Sequence, residues 1–174
     1  MRKLYIEKLT EFSGEQYRTT WEKKVHSYNC KSLELTLLDF VDVSKTDETI
    51  YNRRKIAFYV QIGSIIQYGD LMIEKLKSVV AVFQSNKDSV EMVWVCDSEY
   101  EKYLHDYDEN LFDGYICVKD LMIHDNIGMC VYRDEKNVNE IVEMCNAYYG
   151  SESRLVLEFE MKKKPVMIMD VEIL

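Results

Sequence analysis

The fold class turns on the stretch Lys55 to Phe83, KIAFYVQIGSIIQYGDLMIEKLKSVVAVF. Ile56 to Val60 is an apolar run without polar alternation, which suits a strand buried on both faces. Gly63, Ser64 and Gly69 follow the strand, then Asp70 as a helix N-cap. Met72, Ile73, Leu76, Val79, Val80 and Phe83 then recur at three- and four-residue intervals, the apolar stripe of an amphipathic helix. Met92 to Val95 (MVWV), beyond the polar turn Asn86–Ser89, is a second short apolar run and completes a β-α-β unit.

Outward from that unit the alternation continues. Tyr100, Tyr103, Leu104 and Tyr107 fit one helix, and Leu111, Tyr115, Val118, Leu121 and Met122 fit another, with Asp108 and Asn110 placed to cap it. Met129–Tyr132 is a third strand, and Val138, Ile141, Val142 and Cys145 have the spacing of a helix with one packed face. Ala147–Tyr149 is a fourth strand, ended by Gly150. A helix over residues 153–163 follows, and Pro165 introduces a last strand, Val166–Met169. Short apolar strands alternating with helices predict an α/β domain, a three-layer Rossmann-like arrangement around a mostly parallel five-stranded sheet. Ligands of such sheets lie beyond the carboxyl ends of the strands. Those ends are Val60–Ser64, Val95–Ser98, Tyr132–Glu135 and Gly150–Ser153.

Residues 53–174 form this domain, and residues 1–52 read as a short helical N-terminal extension and linker. Ser13 and Gln16 make a capping box before a helix whose stripe is Tyr17, Trp21, Val25 and Tyr28. Leu33, Leu35, Leu37 and Leu38 suit strand or helix equally, and Ser44–Asn52 is a polar linker. The extension is too short for a domain of its own, so it packs on the sheet domain or on a partner. Tyr17, Trp21 and Tyr28 offer a homodimer a surface.

Composition removes several function classes. Lys and Arg number 22 against 31 Asp and Glu, a net charge of −9, which argues against nucleic-acid and anionic-membrane surfaces. The five cysteines, Cys30, Cys96, Cys117, Cys130 and Cys145, contain no CxxC and read as free, mostly buried thiols of a cytoplasmic protein. The first residues, MRKLYIEKLTEF, lack the apolar core of a signal peptide. No apolar run approaches the ~20 residues of a membrane span. No HExxH, GxSxG or Walker pattern occurs. His26, His105 and His124 lack companions at metal-ligand spacing, so neither a metal nor a cofactor is called for. The acidic stretch Asp97–Asp113, interleaved with Tyr100, Tyr103, Tyr107 and Phe112, reads as a solvated helix face or as a surface for a basic partner.

From Lys55 onward the chain resembles the C-terminal half of bacterial CDP-glycerol glycerophosphotransferase-like proteins, two-domain GT-B glycosyltransferases. The resemblance is carried by KIAFYVQIGSIIQYGDLMIEKLKSVVAVF, MVWV, YRDEKNVNEIVEMCNAYYG and KPVMIMDVEIL. It implies a domain that binds a nucleotide-diphosphate donor, within proteins that transfer a glycerol-phosphate or sugar unit in wall or capsule polymer synthesis. A companion transferase chain, or a dimer, would then supply the acceptor half.

The departures from that pattern fall on the donor site. Where the family carries arginine, proline, histidine and proline after the second strand, this chain has Val95, Cys96, Asp97 and Ser98. Two aspartates and a threonine are replaced by Arg133, Asp134 and Glu135, and a Gly-Asp-Gly-Ser-Ser loop by Gly150, Ser151, Glu152, Ser153 and Arg154. Loss of a bidentate arginine, and carboxylates at Asp97 and Glu152, weaken the hold on a pyrophosphate by about 1 kcal/mol per like charge at a wet surface. Arg133, Ser151, Ser153 and Arg154 offer a relocated phosphate site, flanked by Gly63, Ser64, Asp134 and Gly150. The expectation is a divergent, non-catalytic glycosyltransferase-like domain that binds a nucleotide weakly or serves as an interaction module. The alternative is an active transferase completed by its partner.

Overall fold

In a computed structural model of the chain, the structure is described for residues 53–134, 137–151 and 153–169. Five strands, β1 (Arg54–Tyr59), β2 (Val90–Cys96), β3 (Gly128–Tyr132), β4 (Ala147–Gly150) and β5 (Val166–Ile168), form one sheet in the order β3-β2-β1-β4-β5. Every neighbouring pair is parallel. Among the described residues six helices connect them: α1 (Ile62–Tyr68), α2 (Asp70–Ser85), α3 (Ser98–Tyr107), α4 (Glu109–His124), α5 (Val138–Met144) and α6 (Arg154–Met161). The α/β class and the five-stranded sheet are as the sequence predicts. The extension, with the capping box at Ser13 and the stripe from Tyr17 to Tyr28, lies outside the described residues. So do Cys30, His26, Glu135 and Glu152.

Side chains from the sheet separate the layers. Phe58, Trp94 and Tyr149 stand side by side on β1, β2 and β4, because Phe58 pairs with both Trp94 and Tyr149 in the strand register. Phe58 meets the Trp94 ring edge-on at 5.1 Å and stacks on Tyr149 at 5.9 Å, and Trp94 packs against Tyr115 of α4 at 5.8 Å. Tyr148, pointing the opposite way as strand alternation requires, packs on Phe159 of α6 at 5.5 Å. Helix α4 touches both α2 and α3 on the first side, and α5 touches α6 on the second. These rings are fully buried, and aromatic burial of this kind dominates core energetics. The edge strand β3 is only half-buried.

Two glycines set how closely the strands approach. A Cβ at Gly128 would sit 1.9 Å from the Met92 carbonyl oxygen, and one at Gly150, whose φ is +154°, would sit 2.1 Å from that of Tyr59. No side chain larger than hydrogen fits there without parting the strands.

One local expectation is corrected. Gly63 and Ser64 are not in a loop after β1 but in α1, where the Gln61 carbonyl accepts from the Ser64 and Ile65 amides at 3.0 and 3.4 Å. Ile62 and Ile65 bury one side of this helix. Seven residues are too few to show a stripe in sequence. Gly69 (φ +57°) both ends α1 and precedes α2, so Asp70 is the first helical residue instead of the N-cap. At the other end of the chain, Lys164 donates to the Val142, Cys145 and Glu143 carbonyls at 2.5, 2.8 and 3.2 Å, satisfying the open end of α5. Among the described residues no helix is long and apolar enough to cross a membrane.

Candidate functional site

The strand order reverses between β1 and β4, which makes the carboxyl ends of these two strands the switch point where α/β sheets hold ligands. Here the loops at that point are stitched to each other. The Ser151 amide donates to the Tyr59 carbonyl at 2.8 Å, and the Gln61 amide donates to Ser151 Oγ at 3.0 Å. The Tyr148 hydroxyl donates to the Ser151 carbonyl at 2.5 Å, and Met169 N–H to the Gly150 carbonyl at 2.7 Å. Ser151 is buried. Its hydroxyl and the Gly150 carbonyl are therefore structural ties, and the open cleft lies to one side.

That cleft, of about 370 Å³, is lined by Arg133, Val138, Asn139, Arg154, Leu155 and Glu158. Arg133 follows β3, and its amide is fixed by the Cys96 carbonyl at 2.9 Å. Its guanidinium lies over the Tyr59 ring, 4.6 Å from the centroid, and donates weakly to the Tyr59 hydroxyl at 3.4 Å. Burial pushes the Tyr59 hydroxyl above its ordinary pKa, against the opposing pull of Arg133. Tyr59 therefore stays protonated and acts as an apolar platform for the guanidinium. Arg154 opens α6 and is exposed. Ser153 precedes it, with Oγ at 3.1 Å from the Tyr148 hydroxyl.

The carboxylates temper this positive charge. Glu158 is one helical turn from Arg154 and lines the same cleft. Asp97 is the N-cap of α3, accepting from the Glu99 and Tyr100 amides at 3.1 and 3.4 Å, and its other oxygen lies 3.8 Å from Arg133 Nε. It thus caps a helix and partly neutralises Arg133.

Of the sequence-predicted residues, the cleft brings together Arg133 and Arg154, with Ser153 beside Arg154. Gly63 and Ser64 sit in the first turn of α1 and do not line it. Asp134 shapes the β3–α5 loop through reciprocal bonds with Asn137, at 2.8 and 3.0 Å. Asn139, Leu155 and Glu158, and the place of Val138 in the lining, escaped the sequence reading, although the i, i+4 spacing of Arg154 and Glu158 is itself a signal that both share a helix face.

A second polar cluster lies behind β2 and β3. Glu101, which sequence placed on a solvated face, is only 8% exposed, and Lys119 only 4%. Lys119 Nζ meets Glu101 Oε1 at 2.5 Å, the Tyr115 hydroxyl donates to the same oxygen at 2.8 Å, and the Tyr132 hydroxyl donates to Oε2 at 3.1 Å. Burial pushes the Lys119 ammonium toward losing its proton, but Cys96 and Glu101 opposite it outweigh that, so its pKa rises. Tyr115 is pushed well up, chiefly by burial. The thiols of Cys96 and Cys130 adjoin this cluster. Elsewhere Tyr100, Tyr103 and Tyr107 expose more than half of their surface along α3, with the Tyr103 and Tyr107 rings stacked at 6.4 Å. His105 and His124 lie beside Asp106 and Asp125 at 3.5 and 3.2 Å. Among the described residues no group of His, Cys, Asp and Glu is placed to hold a metal.

Compared with protein-family models, with curated proteins and with solved structures, the chain matches none.

Proposed function

We propose that this domain binds a phosphate-bearing, nucleotide-type anion weakly in the cleft between the end of β3 and the start of α6, as a divergent, non-catalytic relative of GT-B donor-binding domains. The carrying observation is that Arg133 and Arg154, distant in sequence, line one cleft. A guanidinium offers paired, permanently charged donors that match phosphate oxygens. The cleft volume is near the low end of the ~300–1,000 Å³ typical of ligand sites. It suits a phosphate group with part of a nucleoside better than a whole nucleotide-diphosphate donor. Glu158 and the Asp97 contact to Arg133 argue for weak affinity. The free thiols Cys96, Cys117, Cys130 and Cys145 fit a reducing, cytoplasmic setting.

Calorimetry with CDP, UDP and CDP-glycerol tests this reading. Binding weakened about tenfold, or ~1.4 kcal/mol, by Arg154→Gln supports it. Absence of binding by all three, or binding indifferent to both Arg154→Gln and Arg133→Gln, refutes it. Release of CMP from CDP-glycerol, once a companion chain is added, would replace it with the transferase reading. The exposed tyrosines of α3, set among Glu99, Asp106 and Asp108, favour a second role as an interaction surface for a basic partner.

A further inference from the structure

The two faces of the sheet are not covered alike. On the side to which Trp94 points, α2 packs on β2 and α4 on β3. On the other side α5 packs on β1, and α6 on β4 and β5. Among the described residues none of α1–α4 packs in this way on β4 or β5. Yet Ala147, Tyr149 and Met167 face the Trp94 side, since the register sets Ala147 beside Ile56, Tyr149 beside Phe58 and Met167 beside Tyr149. All three are wholly buried. A parallel sheet is buried under a layer on each face, so this strip of β4 and β5 needs a cover beyond the described helices.

The flank of α2 points the same way. Ile73 abuts Gly114 of α4, and Gln84, three turns on, donates to Asp125 just after α4 at 3.3 Å. That flank of α2 is therefore turned to α4. Lys75 and Val82 lie half a turn round from it, and both are half-buried instead of exposed. The cover over Tyr149 thus also lies along α2, on the flank away from α4.

We propose that this strip is the docking surface of the chain's own residues 13–28, which lie on it as a helix with Tyr17, Trp21, Val25 and Tyr28 turned to Tyr149, Met167 and Val82. Two strands at a spacing of ~4.8 Å make a strip about 10 Å wide, the diameter of one helix. A helix over residues 13–28 is about 24 Å long, the same length as α2, which also has 16 residues. The described residues begin at Arg53, at the foot of β1, and β1 lies directly beside β4 in the sheet. The extension therefore arrives next to the strip, and residues 29–52 can stretch to roughly 80 Å, far more than the return requires. Its stripe is aromatic, as is the face it meets, and ring burial of that kind gives the largest apolar contact per side chain. An extension used in this way keeps no aromatic face for a second copy of the chain.

The test uses the full chain with Val82 replaced by the photoreactive residue p-benzoylphenylalanine, irradiated, digested and mapped by peptide mass spectrometry. A cross-link within one chain to a peptide from residues 13–28 is the expected result. In the full chain carrying Trp21→Ala and Tyr28→Ala, amides of β4 and β5 should exchange hydrogen about tenfold faster or more, while those of β3 and α4 keep their rates. Sedimentation of the parent chain should show a monomer. Cross-links that miss residues 13–28, or that join two chains, overturn the proposal. So do unchanged exchange in β4 and β5, and a parent dimer that Trp21→Ala breaks. If the double variant unfolds throughout, as circular dichroism would show, the cross-link from position 82 and the sedimentation of the parent decide.

Discussion

Replacing Lys119 by methionine keeps most of the side-chain volume but removes the ammonium that neutralises Glu101. The pair is enclosed, with side-chain exposures of 5% for Lys119 and 10% for Glu101. Removing one partner of a buried pair costs about 3–5 kcal/mol, since the remaining charge is stranded. Glu101 retains the Tyr115 and Tyr132 hydroxyls as donors, which places the loss near ~3 kcal/mol at pH 8. With an m-value of about 1–1.5 kcal/mol/M for a domain of this size, the urea midpoint falls by roughly 2–3 M. The stranded carboxyl can escape the penalty by taking a proton. Above the ~4.3 of an ordinary glutamate the unfolded chain gives this proton up, whereas the folded variant gains by keeping it, so the variant's stability falls as pH rises from there. The deficit against the parent should therefore be full at pH 8 and mostly gone near pH 4.5. Adding Glu101→Gln should recover much of the loss at pH 8. A deficit below ~1 kcal/mol at pH 8, or one equal at both pH values, would refute the description of Glu101 and Lys119 as a buried, mutually dependent pair.

Three further outcomes are expected. Gly128→Ala must push its Cβ off the Met92 carbonyl and should cost more than ~3 kcal/mol, whereas Gly63→Ala, with open space around it in α1, should gain ~0.5–1 kcal/mol; thermal midpoints of both check this. Burial pushes Cys145 up to about 12 and also raises Tyr148 and Tyr149. The unfolded chain releases these protons at the ordinary values of ~8.5 and ~10, so stability falls as pH rises above about 9, by up to ~1.4 kcal/mol per pH unit for each group. Tyr149→Phe, which removes a buried hydroxyl without a hydrogen-bond partner, should flatten that slope in urea titrations and leave neutral-pH stability unchanged or higher. Asp97→Ala should lower stability by ~1 kcal/mol through loss of the α3 cap, yet tighten CDP binding in calorimetry, because Arg133 then faces the cleft without its carboxylate.

Legibility in the sequence follows the length and period of each signal. The stripe from Met72 to Phe83 runs the length of a long helix, and the runs at Ile56 and Met92 are apolar on both faces, so α2, β1 and β2 could be read directly. Helix α1 could not, because seven residues built on Ile62 and Ile65 hold too little period. The strand-end rule found Arg133 and Arg154, but nothing in the sequence told that the Ser151 hydroxyl would bind the Gln61 amide and close the switch point. Glu101 was hidden among the acidic residues around it. Its signal was positional: it stands three residues before Leu104 on the apolar stripe of α3, as Lys119 stands four after Tyr115 on that of α4. A charge on a buried stripe calls for a partner on another stripe, and one sequence does not say which.

The row of rings across the middle of the sheet also gives the chain an optical gauge. Trp94, wedged between Phe58 and Tyr115, is wholly buried and its indole N–H has no acceptor. Its emission should therefore be blue, and tyrosines within a few ångströms can pass excitation to it. Filling the cleft at the sheet's carboxyl edge leaves those surroundings intact. In a chain carrying Trp21→Phe, which leaves Trp94 as the single tryptophan, a red shift consequently signals that the strands themselves have parted, which separates ligand binding from unfolding in a single cuvette.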